Sequence, residues 1–185
     1  KRDIARIQRR LGELAASLPT ADRGALAAAE GEVAAQEERL AEAVRMAAKA
    51  RMAAEALAVA GDEGWAVCVE SPMRKIPAAE AYSGRPARQA TIELARNEYE
   101  GLQLVVAPLG DALKSVTVDV SNLRGPGGAV LPRDLLSLRR IAFVNVTQSS
   151  GGATLPPGLL PDPLVPFEPQ DVAADAFLPL LLTVY

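Results

Sequence analysis

The chain opens on a helical pattern of apolar positions. Ile4, Ile7, Leu11, Leu14 and Leu18 alternate spacings of three and four, which lays one apolar stripe along an amphipathic helix. Pro19 in "LPTAD" cannot continue the hydrogen-bond ladder, and Thr20 or Asp22 can cap a following helix. From Ala25 to Ala60 the sequence is rich in the good helix formers Ala, Glu and Arg, interrupted by Gly31. Leu26, Val33, Leu40, Ala47 and Ala54 recur every seventh residue, with Ala29, Gln36, Ala43, Ala50 and Leu57 three positions further on. That is a coiled-coil-like seam of small residues, and a helical hairpin over residues 1–62 is the economical arrangement.

"GDEGW" puts glycine where a helix ends, and the periodicity then drops to two. Residues 63–185 are expected to form an antiparallel β-sandwich. Candidate strands are Trp65–Val69, Ala90–Ala95, Leu102–Ala107, Ser115–Val120, Leu138–Val146 and Phe177–Tyr185. "NLRGPGGAVLP" and "QSSGGATLPPG" supply turns, and their glycines lack the strand-to-helix setting of a phosphate loop. "LPPGLLPDPLVPFEP" holds too many prolines for a central strand and should cross the sandwich extended, anchored by Leu160, Leu164 and Phe167.

Composition removes several chemistries. The chain has no histidine, so a Ser-His-Asp triad, a Cys-His pair and any His-ligated metal site are excluded within it. A net charge of −3, with cations scattered among acids, offers no basic surface for nucleic acid. No run is long and apolar enough for a membrane helix. Cys68, the single cysteine, sits in an apolar strand-like run and reads as a buried small hydrophobe. The chain starts at Lys1 and ends on the apolar run "FLPLLLTVY", which points to a segment of a longer protein. No cofactor and no metal site are expected.

One stretch carries concentrated polar groups. In "LARNEYEGLQLVV", Glu98 and Glu100 share strand parity with Leu102, Leu104 and Val106, so a regular strand would turn both carboxylates toward the core. Burying them costs several kcal/mol unless they are paired or hydrogen-bonded. A bulge at Gly101 could reset the parity, Arg96 or another cation could pair with the acids, or the two could line a cleft. Same-strand neighbours can approach the roughly 5 Å of a retaining glycosidase pair. The favoured role is structural, with Asn97, Glu98, Glu100 and Gln103 bonding to loop backbone; no catalytic residue is assigned. Asp162 in "PDP" is read as a turn residue, with calcium ligation as the competitor. Of the rings that could stack on a sugar, Trp65, Tyr82, Tyr99 and Tyr185, the indole of Trp65 is expected in the core.

"ELARNEYEGLQLVVAPL", then "VTVDVSNL", "IAFVNVT" and "LLPDPLVPF", resembles the N-terminal β-sandwich of bacterial proteins related to glycoside hydrolase family 123, over about residues 65–185. The resemblance implies an accessory domain that packs against a downstream catalytic (β/α)-barrel. There an adjacent Asp-Glu pair would act on β-linked N-acetylgalactosamine, so no catalytic residue of the family falls within this chain. It also implies a glycan as possible partner and an extracytoplasmic location. It does not cover the helical segment. A stand-alone carbohydrate-binding module and an assembly protein that uses its helices are the alternatives.

Overall fold

The computed structural model describes residues 2–17, 23–61, 63–148 and 155–185. The capping turn expected at Leu18–Asp22 and much of the "QSSGGATLPPG" turn lie outside them. The chain divides into two compact units, residues 1–49 and 50–185.

In the first unit, helix α1 (Arg2–Ser17) packs on the first part of helix α2 (Arg23–Ala60). Ile7, Ala29 and Gln36 are buried, and Leu11, Leu14 and Val33 flank the contact. The Arg10 guanidinium donates to both carboxylate oxygens of Glu32 and, at 3.0 Å, to Glu13. Those bonds hold the Glu32 carboxyl below its ordinary range. Gly61 ends α2 with φ +85°, a left-handed conformation that glycine adopts without strain.

The second unit begins within α2. It contains strands β1 (Trp65–Glu70), β2 (Glu100–Pro108), β3 (Leu113–Val116), β4 (Leu123–Arg124) and β5 (Val130–Leu131). Next come β6 (Leu136–Val146), β7 (Gly158–Pro166), β8 (Gln170–Val172) and β9 (Leu178–Val184). All the pairings are antiparallel, in a five-stranded sheet of order β1-β2-β9-β6-β7 and two small ribbons, β3-β8 and β4-β5. Two helices followed by an antiparallel β architecture is the class that the sequence pattern predicts.

Both faces of the sheet are covered, which is why β2 and β9 read as continuous apolar runs rather than alternating ones. One face carries Val67, Leu104, Val106, Leu138, Leu178 and Leu180, and onto it pack Leu113 and Val116 of β3 with Val172 of β8. The other carries Ala66, Cys68, Val105 and Ala107. Against these lie Met52 and Ala56 from the last turns of α2, Ile76 and Tyr82 from the segment after β1, and Phe177.

Four sequence expectations give way here. Ala90–Ala95 forms no strand, because its residues are largely exposed and find no partner backbone. Residues 117–120 form no strand: β3 ends at Val116, after a register shift between Leu113 and Val116 where Ser115 takes φ +48°. The bulge lets Leu113 and Val116 both reach the core, a spacing that strict alternation forbids. The proline-rich crossing is a true strand, β7, placed at the sheet edge, where a missing N–H donor is tolerated. Asp162 therefore lies in a strand and not in a turn.

The β3-β8 ribbon is pinned from outside by Asp171. Its carboxylate accepts from Lys114 Nζ at 2.7 Å and from the Ser115 backbone N–H at 2.9 Å, and these bonds depress its pKa. A depressed carboxyl stabilises the fold above its unfolded pKa, and that contribution disappears as pH falls through the folded value. Asp171→Asn should therefore lower Tm at neutral pH and show a smaller further drop below about pH 4, measured by thermal melts across pH. An unchanged acid profile would show that Asp171 does not hold the bulge.

Candidate functional site

The Asn97–Gln103 stretch is resolved without a buried acid pair. β2 starts only at Glu100, after a turn in which Asn97 adopts φ +62°, so Glu98 is not on the strand and is exposed. Its Oε2 accepts from the Ala95 backbone N–H at 2.7 Å, closing the turn. β2 pairs with β9 from Glu100 to Val106 without a register shift, so Gly101 hosts no bulge. Among the described residues no ion pair joins Arg96 to either acid. Glu100 is half-buried at the strand's first position, while Gln103, of opposite parity, is buried on the other face and paired in register with Glu70. The four residues thus divide between a turn and the two faces of β2. Asp162, well away on β7, forms a 3.3 Å ion pair with Lys75.

The densest constellation of chemically capable side chains lies instead where β1 ends. Arg74 donates from Nη1 to Glu70 Oε1 and from Nη2 to Glu80 Oε1, both at 2.6 Å. Tyr82 Oη donates to the same Glu70 oxygen at 2.9 Å, and the guanidinium stands 5.6 Å above the Tyr82 ring. That ring meets Phe177 at 5.3 Å, and Phe177 meets Phe143 edge-on at 6.0 Å. Gly84 sits so close that a Cβ there would lie 2.0 Å from Tyr82 Oη and 2.8 Å from Glu70 Oε1. Arg51 of α2 donates to the Ser83 carbonyl.

Two ionisable groups at this site are held neutral. Burial pushes the Cys68 thiol up to about 11, and its Sγ lies 3.7 Å from Met52 Sδ. The Tyr82 phenol is raised as well, by burial first and then by Cys68 and Glu70. Burial opposes the charge on Arg74, but hydrogen bonds and Coulomb attraction from Glu70 and Glu80 keep its pKa above the ordinary value.

The constellation therefore acts as a clasp. The segment after β1 crosses the sheet face, donates from Ala78 N–H to the Leu159 carbonyl of β7, and returns beside β1, where Ala87 N–H bonds the Val67 carbonyl. Arg74, bonded to Glu70 at one end and Glu80 at the other, ties that crossing to the strand it left. Cys68 is a buried small hydrophobe, as its sequence setting predicts. No group of three or more acids or cysteines placed to hold a metal occurs among the described residues.

The exposure of Trp65 is the feature that sequence reasoning missed. Trp65, expected in the core, is 40% exposed, because it is the first residue of an edge strand. It borders two open grooves, of about 470 and 460 Å³. Tyr99 and Tyr185 stack at 4.4 Å at the opposite end of β2 and remain exposed. Beside them a recess of about 170 Å³ includes Asp134, Ser137 and Thr183.

No family model and no curated protein matches the chain. Among solved structures it is similar to a family 123 glycoside hydrolase from Clostridium perfringens, described in terms of glycolipid glycan hydrolysis. The likeness is distant, with 9% identity and a TM-score of 0.41 over 47% of this chain. The chain spans 15% of that protein's length.

Proposed function

We propose that residues 50–185 form a non-catalytic accessory β domain of a glycan-handling protein of the glycoside hydrolase type. The observation that carries this reading is the clasp: the carboxylates, guanidinium and phenol nearest to one another in the unit are spent on holding a covering segment to the sheet. Glu70 Oε1 already takes two donors, the closer at 2.6 Å, so this oxygen is poorly placed to serve as a general base. The motif resemblance in "RNEYEGLQLVV" supports the glycan setting, and the exposed rings of Trp65, Tyr99 and Tyr185 are compatible with sugar contact. The chemistry would then belong to a partner domain, which this unit would pack against and orient.

The test is turnover. The pure 185-residue chain is expected to release no nitrophenol from a nitrophenyl β-N-acetylgalactosaminide above the buffer rate. Sustained release that survives repurification, and that falls on Glu70→Gln with the fold intact, would overturn the reading and make the clasp an active site.

A further inference from the structure

We propose that the groove between the first residue of β1 and the bulged strand β3 binds a neutral pyranose ring stacked on Trp65. The inference deepens the glycan-handling reading and rests on it for the class of ligand; its location rests on the groove alone. The cavity, about 460 Å³, is within the range of small-molecule clefts and has room for one or two sugar rings. Trp65, Val67 and Val106 line it from one face of the sheet. β3 and the residues after it add the aliphatic side chains of Leu113, Val116 and Val118 and the polar groups of Lys114, Thr117 and Asp119.

Three features favour a sugar over other occupants. An indole presents an apolar face and an N–H donor, which complements a ring that has a C–H face and a hydroxyl edge. Trp65 stays 40% exposed in a groove that is open to solvent, a setting for a ligand covered on one face and not for an engulfed acyl chain. The lining holds one cation, one anion and one hydroxyl, so it supplies donors and acceptors without the net charge that a phosphate or a polycation would select.

The groove is also built. Ser115 holds φ +48°, a conformation that strains a non-glycine residue, and its N–H donates to Asp171 Oδ1 at 2.9 Å. Across that bulge Leu113 and Val116 pack on the sheet and also line the groove, with Lys114 and Thr117 beside them. Lys114 is in turn steadied by its 2.7 Å ion pair with Asp171. Bulges recur beside binding sites for this reason.

Trp65 is the single tryptophan of the chain, so its emission reports on the groove directly. The full 185-residue chain would be titrated with the methyl β-glycosides of N-acetylgalactosamine, galactose and glucose, following fluorescence and calorimetry together. The expected result is a saturable emission change with at least one sugar. By calorimetry, affinity should be about tenfold weaker in Trp65→Ala and largely kept in Trp65→Phe. Asp119→Ala, a change at an exposed position, should weaken binding several-fold and covers the case in which Trp65→Ala does not fold. Saturable heat with no emission change, unaltered in these variants, would overturn the groove while leaving glycan binding in place. Silence in both signals with all three sugars would overturn the proposal without touching the non-catalytic reading, which turnover decides. A response to octaethylene glycol monododecyl ether and to no sugar would overturn it in favour of a lipid surface.

Discussion

Leu180→Ala is expected to lower the unfolding free energy by about 2–5 kcal/mol, the largest loss anticipated from any single truncation in the β unit. Leu180 is fully buried on β9, the middle strand of five, with β2 on one side and β6 on the other. It packs in one cluster with Val106, Val172 and Leu178, which join the sheet to the β3-β8 ribbon. Shortening the side chain removes the transfer energy of three carbons and leaves a cavity that a sheet paired on both sides cannot close. Leu164→Ala provides the contrast, because Leu164 is 45% exposed on the edge strand β7 and should cost no more than about 0.5 kcal/mol. Urea unfolding of both variants would show the difference as a shift in midpoint at constant slope. Equal shifts would mean that the ribbon is not part of the cooperative core.

Gly84→Ala should cost about 1–3 kcal/mol, an overpacking penalty in place of a cavity. The added methyl would stand 2.0 Å from Tyr82 Oη and 2.5 Å from its Cζ, so the phenol must leave Glu70 or the segment must lift from the sheet. Either movement breaks the clasp. Gly31→Ala makes the same chemical change where no atom lies within 4 Å, in the interior of α2. There it should stabilise by roughly 0.5–1 kcal/mol through helix propensity alone. Opposite signs for one substitution at two positions are the signature of the clasp; a neutral Gly84→Ala would remove the close approach on which it depends.

The parts of the fold legible in the sequence were those set by local periodicity. The α1 stripe and the glycine at residue 61 are short-range features, and β2 and β9 announce themselves as apolar runs because both of their faces are covered. What stayed hidden depends on partners far along the chain. β3 looked like an alternating strand from Ser115 to Val120, yet the bond from Asp171 to Ser115 N–H, more than fifty positions apart, fixes a bulge and ends the pairing. β7 looked too proline-rich to pair, and its edge position is a property of sheet order that no local pattern records. β8, three residues long, is too short to show a period.

The candidate site followed the same rule. The parity of Glu98 and Glu100 with Leu102 poses a burial problem; the turn at Asn97 takes Glu98 off the strand, and Glu100 stays only half-buried at its first position. Glu70, Arg74, Glu80 and Tyr82 posed none on paper. Their convergence comes from a segment that crosses the sheet to β7 and returns, and spacing along the chain does not reveal such a path. Trp65 is exposed because β1 lies at the sheet edge, a place set by sheet order and not by any local pattern.

We propose that this β unit serves a catalytic domain that it does not itself contain. The most direct measurement is to read the coding sequence past the codon for Tyr185. On this proposal a further stretch on the order of 250 residues follows, in which strands and helices alternate, as in a (β/α)-barrel, with adjacent acids at the end of one strand. A stop codon within the next few positions would contradict it and leave a stand-alone domain, whose function would have to be sought in the Trp65 groove or in the helices.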